Sequence, residues 1–204
     1  MKLVAVSQRV DVFPERNERR DALDQRLNMF LMAAGFVSVP LPNGLYLETS
    51  EGTLIRDAFD IWLDKISPQA FVLSGGNDIG TCQERDLTES RLLNYAQQHR
   101  LPVLGICRGM QMMGVWAGAK LKPVVGHTHI CHVLTGEITG EANSYHTQGL
   151  LSCPDGFTVL ASSEDGEIEA IRHKTLLWEG WMWHPERSQD FAARDIERLR
   201  DLFT

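Results

Sequence analysis

Two short stretches hold residue types that do chemistry in combination. In Gly105-Ile106-Cys107-Arg108-Gly109-Met110-Gln111 a cysteine stands between glycines, one two residues before it and one two residues after. In His184-Pro185-Glu186 an imidazole and a carboxylate stand two residues apart. A thiol nucleophile needs a base to share its proton and a third group to orient that base. A carboxylate against the imidazole would set its tautomer and stabilise the imidazolium. Pro185 stiffens the step between the two by fixing one backbone torsion.

The elements around these residues must place them together. The apolar run from Pro102 to Ile106 reads as a short buried strand. Met110, Met113, Gly114 and Ala117 then recur at helical spacing, so a helix begins just after Cys107. This is a nucleophile elbow with cysteine in the usual place of serine, and its glycines relieve a sharp strand-to-helix turn. A free thiol titrates at roughly 8.5, and a helix N-terminus or a neighbouring imidazolium favours the thiolate. His184 ends the apolar run from Leu176, so it too is expected at a strand end.

The rest of the chain alternates strands and helices. Leu3–Val6, Phe36–Val39 and Ala70–Leu73 are buried strands by composition. Leu23, Leu27, Phe30, Leu31 and Ala34 form one helical face that Gly35 ends, and Leu54, Ala58, Ile61, Trp62 and Lys65 suggest a second helix. Pro40 and Pro42 mark a loop, and a further helix runs through Leu92, Leu93 and Ala96 to Gln98, with Asp86 a candidate cap. Thr158–Ala161 and Ile168–Ile171 read as a hairpin, Asn143–Gln148 as a loop, and Asp190–Phe203 as a closing helix. This order predicts an α/β fold, a three-layer arrangement with a mostly parallel central sheet and helices on both faces. Ligands in such folds sit beyond the carboxyl ends of strands. Ser74-Gly75-Gly76-Asn77-Asp78 follows one such strand, and its two glycines would let the backbone approach a ligand.

Composition narrows the class. The 204 residues fit one domain, taken as residues 1–204, and can bury a substantial core. The net charge of −7 supplies no global basic field for nucleic acid or an anionic membrane, so neither is an expected partner. Four widely spaced cysteines without a Cys-x-x-Cys pair suit a reducing compartment, and no signal peptide or membrane span is evident, so a cytoplasmic protein is expected. The polar run Glu15–Arg20 reads as a solvated loop, or else as a rim facing an anionic substrate. Gly126–His132 holds three histidines and a cysteine. In a strand His127, His129 and Cys131 would share one face, whereas tetrahedral sites draw ligands from several elements. No metal is therefore expected, and the role of that segment stays open.

Taken together, Gly105–Gln111 and His184-Pro185-Glu186 resemble the class I glutamine amidotransferase superfamily, with its flavodoxin-like fold. Ser74–Asp78, Arg85-Asp86, Asn143–His146 and Ile168-Glu169-Ala170 are similar to its γ-glutamyl hydrolase branch, peptidase family C26. Within that branch the short chain and Asn143-Ser144-Tyr145-His146 look most like γ-glutamyl-CDP-amidate hydrolases, which act in decorating bacterial surface polysaccharides with phosphoramidate.

The resemblance implies roles position by position. Cys107 is the nucleophile, His184 the general base and acid, and Glu186 its orienter. Backbone N–H groups of Gly76 and Arg108 form the oxyanion hole. Gln111 and the segment from Asn143 through Ser144, Tyr145 and His146 to Gln148 hold the glutamyl portion, with Asn77, Arg9 and Arg85 as candidates for the rest of the substrate. The expected reaction is cofactor-free hydrolysis of a small-molecule γ-glutamyl amide. The rivals are hydrolysis of another γ-glutamyl amine such as γ-glutamyl-γ-aminobutyrate, a glutaminase subunit feeding ammonia to a synthetase partner, and a non-catalytic binding module. The absence of a synthetase domain in these residues favours a stand-alone hydrolase. Arg16, Arg19, Arg20 and Arg108 join Arg9 and Arg85 as a possible local anion site, although each is also an ordinary surface residue. Oligomeric state is not legible.

Overall fold

The computed structural model describes residues 1–45 and 58–204. The first strand, β1 (Lys2–Ser7), is followed by a hairpin, β2 (Arg9–Phe13) and β3 (Glu18–Ala22). The Glu15–Arg20 run is thus largely hairpin rather than loop. It escaped recognition because its charged residues alternate without an apolar face, the usual strand signal. Helix α1 (Gln25–Ala33) starts at Asp24, whose side chain accepts from Arg26 N at 2.8 Å, and it buries Leu27, Phe30 and Leu31. Strand β4 (Phe36–Leu41) contains Pro40, which the sequence reading put in a loop. Proline is tolerated there because β4 is an edge strand. Helix α2 (Ala58–Ile66) carries most of the expected second helix, and Leu54 lies outside the described residues.

Strand β5 (Ala70–Leu73) leads to α3 (Gln83–His99), then β6 (Val103–Ile106) and α4 (Arg108–Trp116). Asp86 is not the cap of α3, which begins after Cys82. Its Oδ2 accepts from Gly80 N at 2.7 Å and its Oδ1 pairs with Arg108. Next come β7 (Leu121–Pro123), β8 (Thr128–Gly136), β9 (Gly140–Tyr145) and β10 (Gln148–Leu150). Asn143–Tyr145 is therefore strand, and the expected loop shrinks to a short link before Gln148. The chain closes with β11 (Phe157–Ser162), β12 (Ile168–His173), β13 (Trp178–Trp181) and α5 (Ala193–Phe203).

The main sheet has nine strands in the order β4-β1-β5-β6-β13-β12-β11-β8-β9. From β4 to β13 neighbours pair parallel, and from β13 to β9 they pair antiparallel. Every residue of β5, β6 and β13 is buried, as expected of central strands covered on both faces. Trp178, Trp181 and Trp183 lie in this core, and each indole N–H finds an acceptor: Leu101 O, Glu179 and Asp195. The parallel half ends at Leu73, Ile106 and Trp181 side by side, so the segments that follow them converge at one edge of the sheet. All four cysteines are free thiols. No helix among the described residues is long and apolar enough to cross a membrane.

Candidate active site

Cys107 sits at the junction of β6 and α4 with φ 50° and ψ −104°, a conformation L-residues rarely adopt. The elbow is held by its neighbours. A Cβ on Gly105 would stand 2.6 Å from the Gly109 backbone, and one on Gly109 would stand 2.1 Å from Leu73 O. Both glycines are steric necessities, because α4 starts directly against β5 and β6. Cys107 N donates to Trp181 O at 2.7 Å, which ties the elbow to the strand that delivers the histidine.

His184 lies three residues beyond β13 and is buried. Its Nδ1 is 2.6 Å from Glu186 Oε1. Its ring packs on Gly75, where a Cβ would approach Cε1 to 2.5 Å. Burial pushes the imidazole pKa down, but hydrogen bonding to Cys107 and to the Glu186 carboxylate outweighs it. The result is a rise from 6.5 to about 9. Asn143 fixes the backbone beneath the ring: its Oδ1 accepts from His184 N at 2.9 Å and its Nδ2 donates to His184 O at 2.8 Å.

Two cavities meet at His184. The smaller, about 130 Å³, is lined by Cys107, Gly76, Arg108, Gln111, Tyr145 and His146 among others. The larger, about 330 Å³, lies beside Arg9, Asp24, Gly75, Gly76, His184 and Arg187. Arg108 is the first residue of α4, so its N–H has no acceptor within the helix. Gly76 has φ +121°, and a Cβ there would crowd Arg85 Nη1 and Arg9 Cβ at 2.8 Å. The structure thus brings both expected oxyanion donors to the cavity that holds the thiol.

The other expected contacts divide. Gln111, Tyr145 and His146 line the smaller cavity, and Arg9 the larger. Gln111 Nε2 donates to Gln148 O at 2.8 Å, and the Tyr145 ring stands edge-on to His184 at 5.8 Å. Asn77, Arg85, Asn143 and Ser144 spend their polar groups inside the protein. Asn77 pairs with the backbone of Val10 at 2.8 Å in both directions. Ser144 Oγ donates to His127 O at 2.7 Å. Arg85 is fully buried and donates to Ser74 O at 2.6 Å, Gly75 O at 3.0 Å and Glu89 at 2.9 Å. Burial lowers its pKa to about 10. The Arg108 side chain also turns inward, to Asn77 O at 2.8 Å and to Glu89 and Asp86. Burial, with Arg85 close by, brings its pKa down to about 9, so both guanidiniums stay charged at neutral pH. These two arginines hold the Ser74–Asn77 turn from behind. Arg187 carries no role in the sequence reading. It lines both cavities with its guanidinium 4.6 Å over the Tyr145 ring, and its position directly after Glu186 is the only sequence cue.

Fold and site together define a class. The family model described as glutamine amidotransferase class-I matches residues 53–198, and the chain belongs to that family. Among its relatives, a γ-glutamyl-CDP-amidate hydrolase of Campylobacter jejuni is 30% identical over 142 residues, 67% of this chain and 70% of that protein. A glutamine-hydrolyzing GMP synthase subunit of Methanothrix thermoacetophila is 32% identical over 61% of this chain and 70% of its own. The crystal structure of a Thermoplasma acidophilum protein, assigned as a GMP synthase subunit, superposes with a TM-score of 0.69 at 20% identity, covering 100% of this chain and 92% of that one.

Proposed function

We propose that the protein is a cysteine-nucleophile hydrolase of a γ-glutamyl amide, with Cys107, His184 and Glu186 as its catalytic triad. One observation carries the reading: a strained elbow thiol and a carboxylate-oriented histidine open into the same cavity as Gly76 and the first N–H of α4. The Cys107 thiolate attacks the γ-carbonyl carbon, and the oxyanion settles on the N–H groups of Gly76 and Arg108. Loss of one such donor typically costs about 3 kcal/mol of barrier. The C–N bond breaks as the His184 imidazolium gives its proton to the leaving nitrogen. Water, deprotonated by His184, then attacks the γ-glutamyl thioester, releasing glutamate and restoring the thiol.

The substrate we propose is γ-glutamyl-CDP-amidate, hydrolysed to glutamate and cytidine diphosphoramidate for surface-polysaccharide modification. The similarity to the Campylobacter jejuni hydrolase supports it. So does the layout, in which His184 stands between a small cavity beside the thiol and a larger one that includes Arg9 and Arg187. The small cavity suits the glutamyl group and the larger one an anionic leaving group. The resemblance to GMP synthase subunits keeps one alternative, a glutaminase that supplies ammonia to a partner. Steady-state kinetics on γ-glutamyl-CDP-amidate, γ-glutamyl amines and glutamine separate these. A strong preference for the nucleotide amidate supports the proposal. Equal rates on all three, or glutaminase activity that appears only with a synthetase, overturns it. Cys107→Ala should abolish turnover, and residual γ-glutamyl hydrolysis by that variant would remove the triad.

A further inference from the structure

Beside the smaller cavity, and sharing His146 with its wall, lies a cluster to which the steps above give no role. His127 Nδ1 and His146 Nε2 are 3.2 Å apart. Glu169 Oε1 is 3.3 Å from the first and 3.5 Å from the second. His132 joins them, and one ligand atom from each of the four residues lies within 4.8 Å of the rest. His127, His146 and Glu169 are buried. Among the described residues, Glu169 Oε1 and His132 Nε2 are buried polar atoms without a hydrogen-bond partner.

The outer hydrogen bonds assign the tautomers. His127 Nε2 is 2.9 Å from Asp165 Oδ2, a carboxylate oxygen that only accepts, so Nε2 carries the hydrogen. His146 Nδ1 is 3.0 Å from Gln148 O, a carbonyl that also only accepts, so Nδ1 carries the hydrogen there. In neutral imidazoles the inward nitrogens, His127 Nδ1 and His146 Nε2, are then lone pairs. They face each other and a carboxylate oxygen. Three acceptors converge with no donor between them, an arrangement that costs free energy unless a cation sits at their centre.

The spacing identifies the cation's class. Zinc bonds to nitrogen and oxygen of about 2.0–2.1 Å at tetrahedral angles put ligand atoms about 3.3–3.4 Å apart. The three separations of 3.2, 3.3 and 3.5 Å match this. A single proton shared between His127 and His146 would span their 3.2 Å but leave Glu169 Oε1 without a partner. The outer contacts from Asp165 and Gln148 O are those that orient metal-bound histidines. The four residues do not lie on one strand face. The ligands come from the entry and body of β8, the end of β9, and β12. Between Thr128 and Ile130 the ladder is interrupted, with His129 as the extra residue at φ 58°. That bulge brings His127 and His132 to the same side, with ring centroids 4.1 Å apart, although five positions along a regular strand would oppose them.

We propose that His127, His132, His146 and Glu169 bind one divalent transition-metal ion, zinc by its donor set, as a structural site. Three buried ligands and the half-buried His132 complete a four-coordinate set, which leaves no open position for a substrate. The ion acts on the wall of the smaller cavity: Gln148 O receives both His146 Nδ1–H and Gln111 Nε2. It locks the antiparallel extension of the sheet to the segment beside Cys107. The site stands independently of the substrate proposed above.

The test uses the full chain without a polyhistidine tag. Elemental analysis should find about one zinc per chain. Chelation should lower the melting temperature by about 10 °C, and Zn²⁺ but not Mg²⁺ should restore it. Co²⁺ added to the chelated protein should give the intense visible absorption of a four-coordinate site, saturating at one equivalent. His132→Ala and Glu169→Gln should each lose the metal, while Cys131→Ser, an exposed thiol nearby, should keep it. If either ligand variant fails to fold, the cobalt titration of the unaltered chain still decides. Protein without zinc that gives neither a thermal shift with Zn²⁺ nor a saturable cobalt spectrum overturns the proposal and assigns the cluster to a shared proton. Full metal retention in both ligand variants overturns the location.

Discussion

Asn143 holds His184 by both ends of its amide, accepting from His184 N at 2.9 Å and donating to His184 O at 2.8 Å. The two residues come from β9 and from the segment after β13, so this clamp joins the antiparallel extension to the end of the parallel half that carries Cys107. It positions the histidine backbone, while Glu186 orients the ring through Nδ1.

Asn143→Ala should therefore act on catalysis through His184. Misplacing a reacting group by about 1 Å costs on the order of a hundredfold in rate. We expect kcat to fall roughly ten- to a hundredfold with KM little changed. Asn143→Asp, which keeps the acceptor and loses the donor, should fall between. A folded Asn143→Ala enzyme with unaltered kcat would show that Glu186 and Gly75 suffice to place the ring.

The buried charge network behind the Ser74–Asn77 turn should be sensitive to its central carboxylate. Glu89 accepts from Ser7 Oγ at 2.7 Å and Arg85 Nε at 2.9 Å, and it also pairs with Arg108. Removing one partner of a buried ion pair strands charge in the interior and typically costs about 3–5 kcal/mol. Glu89→Gln should lose that much in urea unfolding, and activity should fall with it because both arginines position the turn that bears Gly76. A loss under about 1 kcal/mol would mean that Asp86 alone compensates the two guanidiniums.

His184 sets a pH dependence with a definite sign. Burial lowers its pKa, Cys107 and Glu186 raise it, and the net value is about 9 against 6.5 for the free group. The folded state then holds more protons than the unfolded state between these values, so stability falls as pH rises. The contribution is complete below about pH 6.5 and lost by passage through about pH 9, in total roughly 3 kcal/mol. Urea unfolding from pH 6 to 9.5 should show this decline, and His184→Gln should flatten it. Equal slopes in the two proteins would place the titration elsewhere.

The elbow and the His184–Glu186 contact were legible in the chain because each is local. Glycine, cysteine and glycine at alternate positions between an apolar run and a helical pattern can only make a sharp turn with the thiol at its apex. His184 and Glu186, two residues apart around a proline, need little beyond their own backbone to meet. The parallel strands were legible for the same reason, since Ala70–Leu73 and Val103–Ile106 are apolar throughout and buried on both faces. Where patterns were weak the reading failed. The Glu18–Ala22 strand has no apolar face, and the 143–145 segment resembles a polar loop until its partner β8 is known.

By itself the sequence indicated the elbow at Cys107, the His184–Glu186 pair and the α/β order of elements, because each of these is encoded in a short local pattern. The tertiary structure alone decided where polar side chains point. Arg85 and Asn77 turn inward because the Ser74–Asn77 turn and the β2 backbone offer them buried acceptors and donors. Asn143 reaches His184 across 41 positions of sequence. His127 and His132 face the same centre as His146 and Glu169 because one extra residue at His129 resets the phase of β8. Those destinations depend on register between distant strands, and a shift of one residue turns a side chain to the opposite face.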